Sequence, residues 1–170
     1  RQYSMIFKTI SVIGLGYIGL PTAAMFASKK IKVIGVDVNQ QTVDTINQGK
    51  IHIKEPELDI IVKTVVSEGY LKAVKVPEPA DAFIIAVPTP FKSLANKGDI
   101  PDPDLNYIKF AAKAIAPVLR KGNLVILEST SPVGTTEQLA NWLAEARTDL
   151  TFPENYGENS DIKVPTMMTT

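Results

Sequence analysis

The chain reads as an α/β domain built on a doubly wound parallel sheet with helices on both faces, three layers αβα. Three observations predict it. Four short runs, TISVI, KVIGV, AFIIAV and NLVILES, are continuous and apolar, as strands buried on both faces are. Segments of helical period separate them. A glycine cluster, IGLGYIG, stands where the first run gives way to the first helical segment. With 170 residues, 45% of them hydrophobic, there is material for one domain with a real core. The 18 basic and 18 acidic side chains cancel, so no basic field draws in a polyanion and nucleic acid is not an expected partner. Cysteine is absent, which excludes a disulfide scaffold, thiolate metal ligation and a cysteine nucleophile within these residues.

The elements follow in order. Thr9 to Ile13 is the first strand and Gly19 to Ser28 the first helix. The uncharged run from Thr9 to Ser28 has the length of a membrane span. Its three glycines and Pro21, and the second apolar run that follows at once, fit two buried strands around a glycine turn better, so a cytoplasmic protein without a membrane partner is expected. Lys32 to Val36 is the second strand. Asn39 to Gln48 forms a helix with Val43 and Ile46 inward, stopped by Gly49. A loop leads to a helix from about Glu57 to Ser67 and a weak strand at Leu71 to Val74. Ala82 to Val87 is the clearest interior strand, and the run Asp99 to Asp104 reads as a proline-restrained loop. Asp104 can cap a helix reaching about Leu119, with Leu105, Ile108, Ala112 and Ile115 on its apolar stripe. Lys121 and Gly122 turn the chain into NLVILES, and Thr135 to Ala146 is the last helix, with Leu139, Trp142, Leu143 and Ala146 inward. Residues 1–7 are expected to be a flexible start or an expression remnant, 8–157 the domain, and 158–170 a divergent tail, with an incomplete last strand.

The glycine cluster carries the chemistry. Gly14, Gly16 and Gly19 fit G-x-G-x-x-G between a strand and a helix, the context that gives this string its meaning in a Rossmann-type fold. The first glycine permits a tight turn, the second a close backbone approach to a pyrophosphate, the third close helix–strand contact. Backbone N–H groups around Tyr17 and Ile18, at the helix start, would receive phosphate oxygens. Asp37 ends the second strand, 23 positions after Gly14, and can accept hydrogen bonds from a ribose 2′-hydroxyl. A carboxylate there repels a 2′-phosphate, so the expected cofactor is NAD rather than NADP. Pro88 and Thr89 leave the third clear strand at the sheet's carboxyl edge, where Thr89 would line the cleft. Glu128-Ser129-Thr130 leaves the next strand in the same way; Thr135 and Thr136 read equally well as helix caps. The lone His52, the Glu55/Glu57/Asp59 group and Trp142 read as a loop histidine, a solvated face and a packing residue, and no metal site is expected.

Taken together, ISVIGLGYIGLPTAAMFA, VIGVDVN, IAVPTPF and ILESTSPVGTT, in that order, resemble the amino-terminal NAD-binding domain of the UDP-glucose/GDP-mannose dehydrogenase family over about residues 8–157. The resemblance implies oxidation of the C6 hydroxymethyl of a nucleotide sugar to a carboxylate in two NAD-dependent steps. Within the family it points to members that act on UDP-N-acetyl-D-mannosamine and feed bacterial surface polysaccharide such as enterobacterial common antigen. It places Tyr17, Ile18, Asp37, Thr89 and Thr130 against NAD, and Thr130 also near the catalytic water and the nicotinamide. Family members continue into a strand ending in proline-glutamate, a connecting helix through which they dimerise, a cysteine nucleophile and a nucleotide-sugar domain. Here LTFPENYGENSDIKV gives way to PTMMTT, and Pro153-Glu154 comes too early to be that motif. The expectation is therefore the cofactor half of an enzyme, cut or truncated, that binds NAD and turns over little by itself. Two alternatives are the cofactor module of another Rossmann oxidoreductase and a non-enzymatic nucleotide-sensing or interaction module.

Overall fold

The computed structural model describes residues 7–92, 98, 100 and 102–166. Strands β1 (Thr9–Ile13), β2 (Lys32–Val36), β3 (Leu71–Val74), β4 (Ala82–Ile85) and β5 (Leu124–Leu127) and helices α1 (Gly19–Ser28), α2 (Gln40–Asn47), α3 (Leu58–Ser67), α4 (Asn106–Ile115), α5 (Thr135–Ala146) and α6 (Pro153–Tyr156) follow in the order β1-α1-β2-α2-α3-β3-β4-α4-β5-α5-α6, with two helices between β2 and β3 and none between β3 and β4. The sheet order is β3-β2-β1-β4-β5, every pair parallel. The chain winds outward from β1 to β3, then returns to place β4 on the other side of β1. Helices α1, α2 and α3 cover one face with a core that includes Leu15, Leu20, Ile46, Val62 and Leu71. Helices α4 and α5 cover the other around Phe83, Ile108, Ile115, Leu139 and Leu143. The winding reverses between β1 and β4, and in open α/β sheets the carboxyl ends of the strands at such a reversal border the crevice where ligands bind.

Most expected boundaries stand within a residue or two, and the differences have local causes. Asn39 is the N-cap of α2, its Oδ1 accepting the N–H groups of Gln41 and Thr42. The Asp104 carboxylate accepts the Asn106 N–H at 2.9 Å, so α4 starts one turn position later than a direct Asp104 cap would give. It ends at Ile115 because Pro117 draws Ala116–Val118 into a 3-10 turn. Ala146 is exposed: it is the last residue of α5, where the chain turns away, and the buried stripe is Thr135, Leu139, Ala140 and Leu143. Trp142 is half-buried with the Lys109 ammonium 5.9 Å from its ring. The short α6 was not expected. Of the Asp99–Asp104 run, Asp99 and Pro101 lie outside the described residues; Phe91 pairs with Pro103 in an antiparallel bridge that closes the loop's base. The uncharged run 9–28 divides into β1, a turn and α1, and among the described residues no helix is long and apolar enough to cross a membrane.

Polar side chains pin the sheet at its ends. The Asp81 carboxylate accepts the N–H groups of Lys8 and Thr9 at 2.8 and 3.0 Å, and buried Asn123 donates to the Ala80 carbonyl at 2.9 Å. Asn47 pairs through its carboxamide with both the N–H and the carbonyl of Ala73, which blunts the open edge of β3. On the opposite edge Lys163 forms a single parallel bridge to Leu124, with Ile162 and Val164 buried in the core, so the packed body runs past residue 157. The Arg147 guanidinium donates to the carbonyls of Ala116 and Leu119 and grips Asp149 through two nitrogens. That hydrogen-bonded pair holds the Asp149 carboxyl at about 2.

Two outcomes follow from this packing. The Asp149 pair contributes stability in full above the ordinary aspartate range and loses it as the pH falls through about 2, because protonation of the unfolded chain begins first. Comparing Asp149→Asn with the parent by chemical denaturation should therefore show a gap at pH 6 that closes progressively below pH 4. Ser11 is fully buried in β1, between register partners Ile34 and Phe83, and its hydroxyl has no hydrogen-bond partner among the described residues. Ser11→Ala should raise Tm by about 2–4 °C, since it removes a buried unsatisfied group worth about 1 kcal/mol.

Candidate functional site

The crevice is built around the turn between β1 and α1. Gly14 adopts φ +97°, and a Cβ on it would stand 2.7 Å from the Ala86 carbonyl oxygen at the end of β4. A Cβ on Gly19 would stand 1.7 Å from the Gly14 carbonyl oxygen. No side chain fits either place, so these two glycines are required by the protein's own packing. Gly16 is different: among the described residues a Cβ there meets nothing within 4 Å, so the backbone at this point of the turn is open to close approach.

The helix that follows is left uncapped. Its N-cap Ile18 makes no side-chain cap, and its first turn holds no acidic residue. Among the described residues the N–H groups of Gly16, Tyr17 and Ile18 find no acceptor, and the Tyr17 and Ile18 side chains are exposed. Pro21 lies in the first turn, where a missing N–H costs nothing. A positive helix end with free donors, approached through an open glycine, is the arrangement that receives a phosphate.

Asp37 stands at the end of β2 beside this turn. Its carboxylate accepts the Leu15 N–H at 3.0 Å and the Asn39 N–H at 3.0 Å. The glycine turn itself thus orients the carboxylate, and a half-buried Asp37 keeps acceptor capacity for a diol. Leu15, fully buried, seats against Gly35 of β2, where a Cβ would come within 2.8 Å of its side chain. Gly35 was missed in the sequence; a glycine inside a strand is the signal that marks such close approach.

The carboxyl ends of β4 and β5 form the far wall. Thr89 donates from its hydroxyl to the Thr130 carbonyl at 2.6 Å, and Ser129 donates to the Val87 carbonyl at 2.5 Å. The loops carrying Pro88, Thr89 and Thr130 are therefore joined to one another. Pro88 and Thr130 are exposed at the crevice rim, while part of Thr89's hydrogen-bonding capacity goes to holding the two loops together. Thr135 closes the turn before α5 by donating to the Pro132 carbonyl, and Gly134, at φ +92°, takes the N-cap position expected of a threonine. Glu128, unassigned in the sequence, accepts the Thr22 hydroxyl through both oxygens at 3.0 and 2.8 Å. From the end of β2 to the end of β5 is three strand spacings, roughly 14 Å, room for an extended dinucleotide. Among the described residues no group of three or more histidine, aspartate or glutamate side chains could hold a metal ion.

Comparison with known proteins agrees with this geometry. Residues 8–166 match the model of the UDP-glucose/GDP-mannose dehydrogenase family, NAD binding domain. The chain is 70% identical over 158 residues to a UDP-N-acetyl-D-mannosamine dehydrogenase of Campylobacter jejuni, covering 93% of this chain and 38% of that protein. It is 63% identical over 164 residues to an NDP-N-acetyl-D-galactosaminuronic acid dehydrogenase of Ralstonia nicotianae, covering 96% of this chain and 37% of that one. Among solved structures it is similar to the UDP-N-acetyl-mannosamine dehydrogenase of Staphylococcus aureus, with TM-score 0.77 and 41% identity over 91% of this chain and 35% of that one. The chain thus spans less than two fifths of the relatives it matches. Residues 8–166 carry the family match and the curated relative is 70% identical, so the chain belongs to the UDP-glucose/GDP-mannose dehydrogenase family as its NAD-binding domain.

Proposed function

We propose that these residues hold NAD for a nucleotide-sugar 6-dehydrogenase that oxidises UDP-N-acetyl-D-mannosamine to UDP-N-acetyl-D-mannosaminuronate with two NAD, an acidic precursor for bacterial surface polysaccharide. The observation that supports the cofactor reading is the contrast among the three glycines: two are demanded by the fold, whereas a Cβ on Gly16 would meet none of the described residues and the space beside it is open to a ligand. The substrate reading rests on the 70% identical relative, named for UDP-N-acetyl-D-mannosamine. The 63% identical relative, named for an N-acetyl-D-galactosaminuronic acid product, favours a second reading in which the sugar is the galacto epimer.

In this reading the N–H groups of Gly16, Tyr17 and Ile18 bind the pyrophosphate, Asp37 the adenosine ribose diol, and Pro88 and Thr89 the wall toward the nicotinamide. Thr130 stands nearest the reacting atoms, its hydroxyl orienting water or the nicotinamide amide. NAD supplies the hydride acceptor; the chain's own part is binding, orientation and exclusion of water. The second oxidation, from aldehyde to acid, calls for a covalent thiohemiacetal, and these 170 residues contain no cysteine. By themselves they should bind NAD and catalyse little. The active enzyme, a homodimer in the cytoplasm, would use a thiol and a sugar site from residues outside this sequence.

Calorimetric titration tests the cofactor reading. Asp37→Ala should weaken NAD by about tenfold and narrow the preference over NADP, because both the diol contact and the repulsion of a 2′-phosphate are lost. Gly16→Ala should weaken NAD at least about tenfold while leaving Tm unchanged, since the new methyl group occupies only ligand space. Wild-type affinity in both variants would overturn the assignment. Turnover of UDP-N-acetyl-D-mannosamine against UDP-N-acetyl-D-galactosamine by the longer enzyme decides between the two sugars.

A further inference from the structure

Three consecutive residues at the end of β5 are each tied to a different part of the crevice. Glu128 accepts the Thr22 hydroxyl of α1 through both carboxylate oxygens, at 3.0 and 2.8 Å. Ser129 donates to the Val87 carbonyl at the exit of β4. The Thr130 carbonyl accepts the Thr89 hydroxyl from the next loop. The last two bonds fasten β5 to its neighbour β4. Only the first crosses to the helix whose N-terminus faces the cofactor.

The crossing has a structural reason. Along β5, Leu124 and Ile126 face the α1 side of the sheet and Val125 and Leu127 the other, so Glu128 continues the α1 side by strand alternation. Helix α1 rests mainly on β1, β2 and α3, and Leu124 and Ile126 of β5 are only partly buried. At this end of the sheet little apolar contact therefore fixes where the first turn of α1 sits relative to β5. The Thr22–Glu128 bond does, and its acceptor is charged, the stronger kind of hydrogen bond. Glu128 is half-buried, and its two oxygens share one hydroxyl donor.

We infer that Glu128 is a positioning residue for the cofactor: acting through Thr22, it fixes the first turn of α1 against the end of β5 and so sets the distance between the phosphate-binding N–H groups and the wall that carries Thr130. This rests on the proposal that the chain binds NAD. A helix end free to lean away would keep its donors but lose their register with that wall, and affinity would fall although no contacting group is removed.

The test is NAD titration of the 170-residue chain and of Glu128→Ala, Glu128→Gln, Thr22→Val and the Glu128→Ala/Thr22→Val pair, each with its Tm. The inference expects Glu128→Ala and Thr22→Val to weaken NAD about five- to tenfold, the pair no more than either alone, and Glu128→Gln to stay within about twofold, since its amide oxygen still accepts the hydroxyl. A wild-type chain that fails to bind NAD would overturn the cofactor reading itself. If the wild type binds, unchanged affinity in the Ala and Val variants overturns the positioning role, whatever happens to Tm. Glu128→Gln falling as far as Glu128→Ala would also overturn it, because charge and not the bond to Thr22 would then be responsible.

Discussion

The structure depends on one close backbone contact. At Gly19 the helix α1 touches the carbonyl of Gly14, and Gly14 in turn touches the carbonyl of Ala86 at the end of β4. These contacts bring the first helix against the sheet at the point where strand order reverses, between β1 and β4. Any side chain at either glycine would lift α1 away and open the crevice. The same contacts place the turn whose N–H groups find no acceptor among the described residues beside that reversal.

Around this contact the carboxyl edge is assembled from short polar bonds rather than from apolar packing. The Leu15 and Asn39 N–H groups hold Asp37, the Thr89 and Ser129 hydroxyls join the ends of β4 and β5, and Thr22 meets Glu128. Such groups serve two ends at an open rim, where water competes and hydrophobic contact is thin. They fix loop geometry, and they leave Tyr17, Ile18, Pro88 and Thr130 exposed. The apolar cores on the two sheet faces provide stability beneath this rim without shaping it in detail.

Much of this was legible in the residue order. Continuous apolar runs at Thr9–Ile13 and Lys32–Val36 announce strands buried on both faces, whereas Leu124–Leu127, read the same way, is fully buried on one face only; the G-x-G-x-x-G spacing with Asp37 announces a dinucleotide turn. The parts that were not legible are those whose meaning depends on a distant partner. Glu128 and Thr22 are 106 positions apart, and neither has a local pattern that points to the other. Gly35 looks like an ordinary strand residue until the Leu15 side chain is seen to need its space. The Ala146 error came from extending a helical stripe to the end of the helix, where the chain turns and the sheet no longer covers it.

By itself the sequence determined the alternating elements, the parallel sheet, the cofactor class and the positions of Gly14, Gly16, Gly19 and Asp37. These follow from periodicity and from short-range spacing, both of which are local properties of a chain. The tertiary structure decided which glycines the fold requires, because only the approach of β4 and α1 shows where a methyl group would collide, at Gly14 and Gly19, and where it would stand in open space, at Gly16. It also decided that Thr89 and Thr130 are joined and that Glu128 reaches α1, since hydrogen bonds between strand ends depend on which strands the winding makes neighbours.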